Sequence, residues 1–203
     1  MSWFFETKLR QSEKNGPIIA TRFFGIWRVI VEGVEQTGPN AHRVWIDAFQ
    51  HLKNLFPTKR IQRVVLLGLG GGGEIKTIYK AFPGVILTVL EYDSAMITLT
   101  KELKLYHPYP LPEIIVGDVK ETLPQLSSSA DLLIVDIFQG ENPSPLLTDP
   151  TFIDSLSHAL GIGGLLLINV FKRKEYLEYP KTHFALIAKW PFLWNHLALF
   201  QKP

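Results

Sequence analysis

The chain contains no cysteine. That removes a disulfide framework, a thiolate nucleophile and any cysteine-based metal site. It also has little net charge, since 21 basic against 19 acidic residues leave +2. So small an excess gives neither nucleic acid nor an anionic membrane a basic face, and the densest basic group is only Lys172-Arg173-Lys174. Long apolar stretches are missing too. Leu165-Leu166-Leu167-Ile168 stops at Asn169, far short of the roughly 20 residues that a membrane helix requires. Met1 to Glu6 begin apolar but carry neither the basic n-region nor the cleavage site of a secretory signal. His107 and His196 have no companions at metal-ligand spacing. These gaps lead us to expect a soluble, cytoplasmic protein with no metal and no nucleic-acid or membrane partner.

What is present is a globular composition: 203 residues, 46% hydrophobic and 20% charged, enough for one domain with a real core and a small appendage. The chain divides near residue 60. Before it, Ile18–Phe24 and Trp27–Glu32 are β-branched and aromatic runs bracketed by Gly16-Pro17, Gly25 and Gly33, which predicts short antiparallel strands. Gly38-Pro39-Asn40 reads as a turn. Apolar residues at 44, 45, 48, 49, 52, 55 and 56 then keep a helical period until Pro57. Residues 1–60 are thus expected to form a β-hairpin cap plus a helix. Trp3, Phe4, Phe5, Phe23, Phe24 and Trp27 are expected in its core or on a dimer surface, and its strand edges could pair two copies as a homodimer.

From residue 61 to 203 strand and helix alternate. Apolar strands over 64–67, 85–90, 114–116, 132–135 and 165–170 are separated by helices, and Trp190 to Phe200 can close the sheet as a hairpin, Pro191 making its first strand short or an edge. Apart from Ser127-Ser128-Ser129 there is no low-complexity tract. Such a pattern predicts an α/β domain around a parallel sheet covered on both faces. Ligands of such sheets bind at the carboxyl ends of the strands, where the strand order reverses. Gly68, Glu91, Asp118 and Asp136 all fall there.

The strongest local signal is Gly68-Leu69-Gly70-Gly71-Gly72-Gly73, five glycines in six positions between an apolar strand and a helix. Glycines let the backbone turn sharply and approach a ligand, and the helix N-terminus favours polar or anionic groups. Gly68-x-Gly70-x-x-Gly73 also satisfies the dinucleotide fingerprint, with Glu91 at the spacing of a ribose contact. Two features turn the reading away from a nicotinamide: a β-rich cap precedes the loop, and two further strands end in acids, Asp118 and Asp136. An adenosyl sulfonium offers carboxylates ribose hydroxyls, an adenine amino group and a positive centre. Asp118 is equally explained as a helix cap, and Asp93 is expected to be a turn or capping residue.

On these residues the chain resembles the spermidine synthase (polyamine aminopropyltransferase) family on the class I S-adenosylmethionine-dependent methyltransferase fold, a Rossmann-like parallel sheet with a closing antiparallel hairpin. The loop over 68–73 is similar to the family's GGGDGG, and Leu90-Glu91-Tyr92-Asp93 to its E-x-D, whose first acid holds the ribose. Gly117-Asp118 resembles its G-D, whose acid meets the adenine amino group. Val135-Asp136-Ile137-Phe138 resembles the D-x-F of its stand-alone relatives, where the aspartate faces the reacting centre. Val31-Glu32-Gly33-Val34-Glu35-Gln36 resembles D-G-x-x-Q, whose glutamine reaches the cofactor. The resemblance implies S-adenosylmethionine or its decarboxylated form as cofactor, with methylthioadenosine as the product of the latter. It implies Asp136 as catalytic residue, and Gln36, Gly68, Gly70, Gly72, Glu91, Tyr92, Asp118 and Val119 as cofactor-binding residues. The acceptor would be a small molecule, a polyamine in the family.

The departures bear on that acceptor. The family's D-x-x-D-P becomes Asp136-Ile137-Phe138-Gln139-Gly140 here, its tyrosine after the hairpin becomes Trp45, and Gly71 replaces the loop aspartate. An aminopropyl or a methyl transferase therefore both stay open. So do a NAD-binding oxidoreductase and a non-catalytic nucleoside-binding relative.

Overall fold

The computed structural model describes residues 5–126 and 129–203; Trp3, Phe4, Ser127 and Ser128 lie outside the described residues. Four antiparallel strands, β1 (Phe5–Ser12), β2 (Gly16–Phe23), β3 (Ile26–Val31) and β4 (Val34–Thr37), form an N-terminal sheet in sequence order. The helix α1 (Pro39–Leu55) follows at once. The Gly38-Pro39-Asn40 segment is therefore not a free turn. Pro39 occupies the first helical turn, where its fixed φ suits a helix and its missing N–H costs nothing.

The main sheet contains β5 (Arg63–Leu67), β6 (Ile86–Glu91), β7 (Glu113–Val116), β8 (Ala130–Val135), β11 (Leu160–Phe171), β12 (Ala185–Phe192) and β13 (Asn195–Gln201). Its spatial order is β12-β13-β11-β8-β5-β6-β7. Five of these strands are parallel, and β13 and β12 close the sheet antiparallel to β11 and to each other. The closing strand β12 lies at the edge, as Pro191 requires, but runs for eight residues from Ala185, longer than its sequence suggests. Helices α2 (Gly73–Ala81), α3 (Ser94–Leu103), α4 (Val119–Thr122) and α5 (Pro150–Ala159) make the crossovers. A small ladder pairs β9 (Phe138–Gln139) with β10 (Asn142–Pro143) just past β8. The chain lays β5, β6 and β7 outward and then returns to place β8 on the other side of β5. The switch point thus lies between β5 and β8.

Apolar residues pack in three clusters. One face of the sheet, with Leu66, Val89, Ile134 and Leu167, packs on α1 and α2 through Trp45, Ala48, Phe49, Ile75 and Ile78. The opposite face packs on α5 through Phe152, Ile153 and Leu156. The third cluster joins the N-terminal sheet, through Ile18, Ala20, Val29 and Val31, to Met96, Leu99 and Leu103 of α3. Among the described residues only one face of that sheet is covered. Phe5, Phe23 and Phe24 consequently stand exposed on the other face or its turns, not in a core.

A buried acid fastens the N-terminal sheet to the main domain. Asp93 caps α3 by accepting from the Ala95 N–H (2.8 Å) and also accepts from the Ser12 hydroxyl (2.7 Å) and the Asn15 amide. Ser12 Oγ in turn accepts from the N–H groups of Lys14 and Asn15, which fixes the β1–β2 turn. Asp93→Ala removes a helix cap and the turn's charge-assisted bonds together, so we expect a loss of about 2–3 kcal/mol in urea unfolding. A loss below about 0.5 kcal/mol would show that the turn is held by other contacts.

Candidate functional site

The glycine loop is held on three sides by backbone donors. Gly68 N–H donates to the Leu90 carbonyl (3.0 Å), Leu69 N–H to Glu91 Oε2 (2.8 Å) and Gly71 N–H to Thr37 Oγ1 (2.9 Å). Glycine is obligatory at two of these turns. At Gly68 (φ +91°) a Cβ would lie 2.3 Å from the Asp136 carbonyl, and at Gly70 (φ +51°) one would lie 3.0 Å from that of Gln36. The loop therefore sits with its backbone against both β4 and the end of β8. Next to it, Gly117 N–H donates to the Glu91 carbonyl and Asp136 N–H to that of Leu67, each at 3.0 Å. The ladder between strands thus continues past their ends and draws positions 68, 91, 117 and 136 to one edge.

A cavity of about 830 Å³, mouth included, opens over this edge. Gln36, Gly68, Gly70, Glu91, Tyr92, Asp118, Val119 and Asp136 all line it. Gly72 does not. It takes a left-handed conformation as the N-cap of α2, and its Cα packs on Thr100, so its glycine serves the loop's turn and not the cavity wall. Asn15, Ser144 and Leu146, which carry no local sequence signal, also line the cavity. They come from the β1–β2 turn and the loop after β10, and only the tertiary fold brings them in.

Glu91 is buried, and its two oxygens accept separately from Leu69 and from the Asp93 N–H (2.8 Å). Burial pushes its carboxyl upward in pKa, against the pull of those two donors. Asp118 is exposed. Its Oδ1 caps α4 at the Lys120 N–H (2.9 Å), and the residue lines the cavity. Asp136 is half-buried and accepts from Asn169 Nδ2 (2.9 Å). Burial raises its pKa to about 6, and the Asn169 bond opposes that shift. Asp136, with Gln36, Phe138 and Gly140, also lines a second, adjoining cavity that reaches α1 and the β12–β13 turn.

One buried acid in this region was not foreseen. Glu74, in the first turn of α2, is 4% exposed with Oε2 lacking a partner among the described residues. Burial, and then the charge of Asp136, raise its pKa to about 8, so it is neutral at pH 7. Among the described residues there is no group of three or more acids and histidines placed to hold a metal, and no helix is long and apolar enough to cross a membrane.

The parallel sheet with its antiparallel closing pair and strand-end glycine loop defines the class I methyltransferase fold. No protein-family model matches the chain. A polyamine aminopropyltransferase from Desulforudis audaxviator is 27% identical over 144 residues, covering 68% of this chain and 52% of that protein. The chain spans about half the length of the first curated relatives it matches. A probable spermidine synthase from Corynebacterium glutamicum superposes with a TM-score of 0.77 at 19% identity, over 97% of this chain and 80% of that one. An S-adenosylmethionine-bound amino pentose methyltransferase from Micromonospora echinaspora gives 0.60 at 15% identity, over 83% and 94%. The chain thus carries the class I methyltransferase fold and is similar in sequence to polyamine aminopropyltransferases and in fold to spermidine synthases.

Glu74 makes stability depend on pH. Between the ordinary carboxyl value of 4.5 and about 8 the folded chain keeps a proton there that the unfolded chain releases. Stability therefore falls as pH rises through that window. Asp136, raised from 3.8 to about 6, adds to the fall at its acidic end. We expect Glu74→Gln to flatten the decline in Tm between pH 5 and pH 8 and to be the more stable protein at the upper end. Parallel Tm curves for the two proteins would contradict a buried, raised Glu74.

Proposed function

We propose that this chain is a transferase that binds an adenosyl sulfonium, S-adenosylmethionine or its decarboxylated form, and directs it to an amine. The observation that carries the reading is the convergence of Gly68, Gly70, Glu91 and Asp118 on one cavity that continues, at Asp136, into a second. The residues suit such a ligand. Gly68 and Gly70 put backbone and no side chain into the cavity wall. Glu91 would accept from the ribose hydroxyls and Asp118 from the adenine amino group. Tyr92 and Val119 would flank the base, and Gln36 would reach toward the sulfonium end.

Bound there, such a sulfonium would supply a carbon already activated for displacement: a C–N bond forms as the C–S bond breaks, and the sulfur keeps the electron pair as a neutral thioether. The chain's own residues position the acceptor and manage its proton. Asp136 attracts an ammonium at the junction of the two cavities and takes the proton that the amine must lose to become a nucleophile. Its raised pKa makes it a better base than an ordinary aspartate. Asn169 holds its orientation, and a neutral Glu74 spares it a second adjacent charge. The names of the curated relatives support aminopropyl transfer to a polyamine, and the bound ligand of the methyltransferase neighbour supports methyl transfer. The room beside Asp136 speaks for catalysis over nucleoside binding alone.

Incubation with each sulfonium and an amine, followed by chromatography, separates these. Methylthioadenosine as product means aminopropyl transfer, S-adenosylhomocysteine means methyl transfer, and neither product over a panel of amines would contradict the proposal. Turnover should rise with pH through about 6 as Asp136 ionises. Asp136→Asn should lower it at least about a hundredfold, with methylthioadenosine affinity little changed. Unchanged turnover would remove Asp136 from the reaction.

A further inference from the structure

The second cavity bears on what kind of amine the site accepts, an inference that rests on the transferase reading above. It encloses about 1160 Å³, mouth included, and three carboxylates lie in its wall: Glu35, Asp136 and Glu141. Two of them are already engaged. Glu35 caps α1, accepting from the Asn40 N–H (3.0 Å), and pairs with Arg28 (3.7 Å). Glu141 pairs with Lys172 (2.9 Å), whose ammonium also lies 4.6 Å above the Phe171 ring. Glu32, the other acid nearby, is exposed on the β3–β4 turn beside Gly140 and is not part of the wall. Asp136 is thus the wall's one carboxylate with neither a cation nor a helix end on it among the described residues.

The rest of the wall mixes the amides Gln36, Asn40, Asn169 and Asn195 with apolar groups, the largest of them aromatic. Trp45 comes from α1 and is buried, Phe138 and Phe171 come from the ends of β9 and β11, and Trp194 stands 72% exposed on the β12–β13 turn. An apolar tail gains by leaving water among such rings. A second ammonium would gain little. It would lose hydration and find, beside neutral amides, only carboxylates already paired, Glu35 with Arg28 and Glu141 with Lys172.

We propose that the acceptor of this chain is a monoamine with an apolar tail of about aromatic size, its single ammonium on Asp136 and its tail among Trp45, Phe138, Phe171 and Trp194. A diamine of the kind used by polyamine-forming enzymes fits this cavity poorly.

Calorimetric titration of the methylthioadenosine-saturated protein with phenylethylamine and with diaminobutane tests this. Phenylethylamine should bind at least about tenfold more tightly, a difference of about 1.4 kcal/mol. Turnover with the sulfonium that proves active should show the same order. Lys172→Glu, an exposed charge reversal, should move the binding ratio several-fold toward diaminobutane by placing two free acids at the mouth. Tighter binding of diaminobutane to the unaltered protein would overturn the inference and leave the transferase reading intact. Binding of neither amine to a protein that holds methylthioadenosine would overturn it as well. Failure to bind methylthioadenosine would instead overturn the reading on which it rests.

Discussion

The site depends on one carboxylate, that of Glu91. It ends β6 under the glycine loop, and its two oxygens reach in opposite directions. One accepts from Leu69 in the loop, and the other from Asp93 at the start of α3. A buried carboxylate needs such donors, because burial alone drives it toward its neutral form. In meeting that need it ties the first crossover of the sheet to the second. The loop over 68–73 has no side chains of its own except Leu69, so its shape has to come from such outside anchors.

The other anchor is Thr37. Through its bond to Gly71 the N-terminal sheet grips the loop from the side opposite Glu91. Asp93 makes a second attachment at the β1–β2 turn. The small sheet is therefore a working wall of the site and not an ornament. Gln36 from β4 and Asn15 from the β1–β2 turn line the cavity beside groups from β6, β7 and β8. The same geometry makes Asp136 a junction, with the cavity over the glycine loop on one side and the cavity that reaches Trp45 and Trp194 on the other.

Much of this was legible in the sequence, for identifiable reasons. Strands buried on both faces have to be continuously apolar, so 64–67 and 132–135 announced themselves, and with them the strand ends at Gly68 and Asp136. Five glycines before a helix marked the loop. β1 was not foreseen, because its sequence, FETKLRQS, is mostly exposed and mixed in character. The start of α1 was misread because Gly-Pro-Asn is equally turn chemistry, and the acid that caps the helix, Glu35, lies outside it. Glu74 escaped notice because an acid in a helix's first turn is ordinarily a solvent-exposed partner of the helix dipole. Its burial follows from packing that local sequence does not encode.

The account's central claim is that the cavity over Gly68 and Glu91 is a nucleoside site. Calorimetric titration of the protein with methylthioadenosine, and separately with NAD, tests it most directly. The account predicts saturable one-to-one binding of methylthioadenosine, weakened at least about tenfold in Glu91→Gln, and no comparable binding of NAD. Binding of NAD in preference to methylthioadenosine, or of neither, would contradict it.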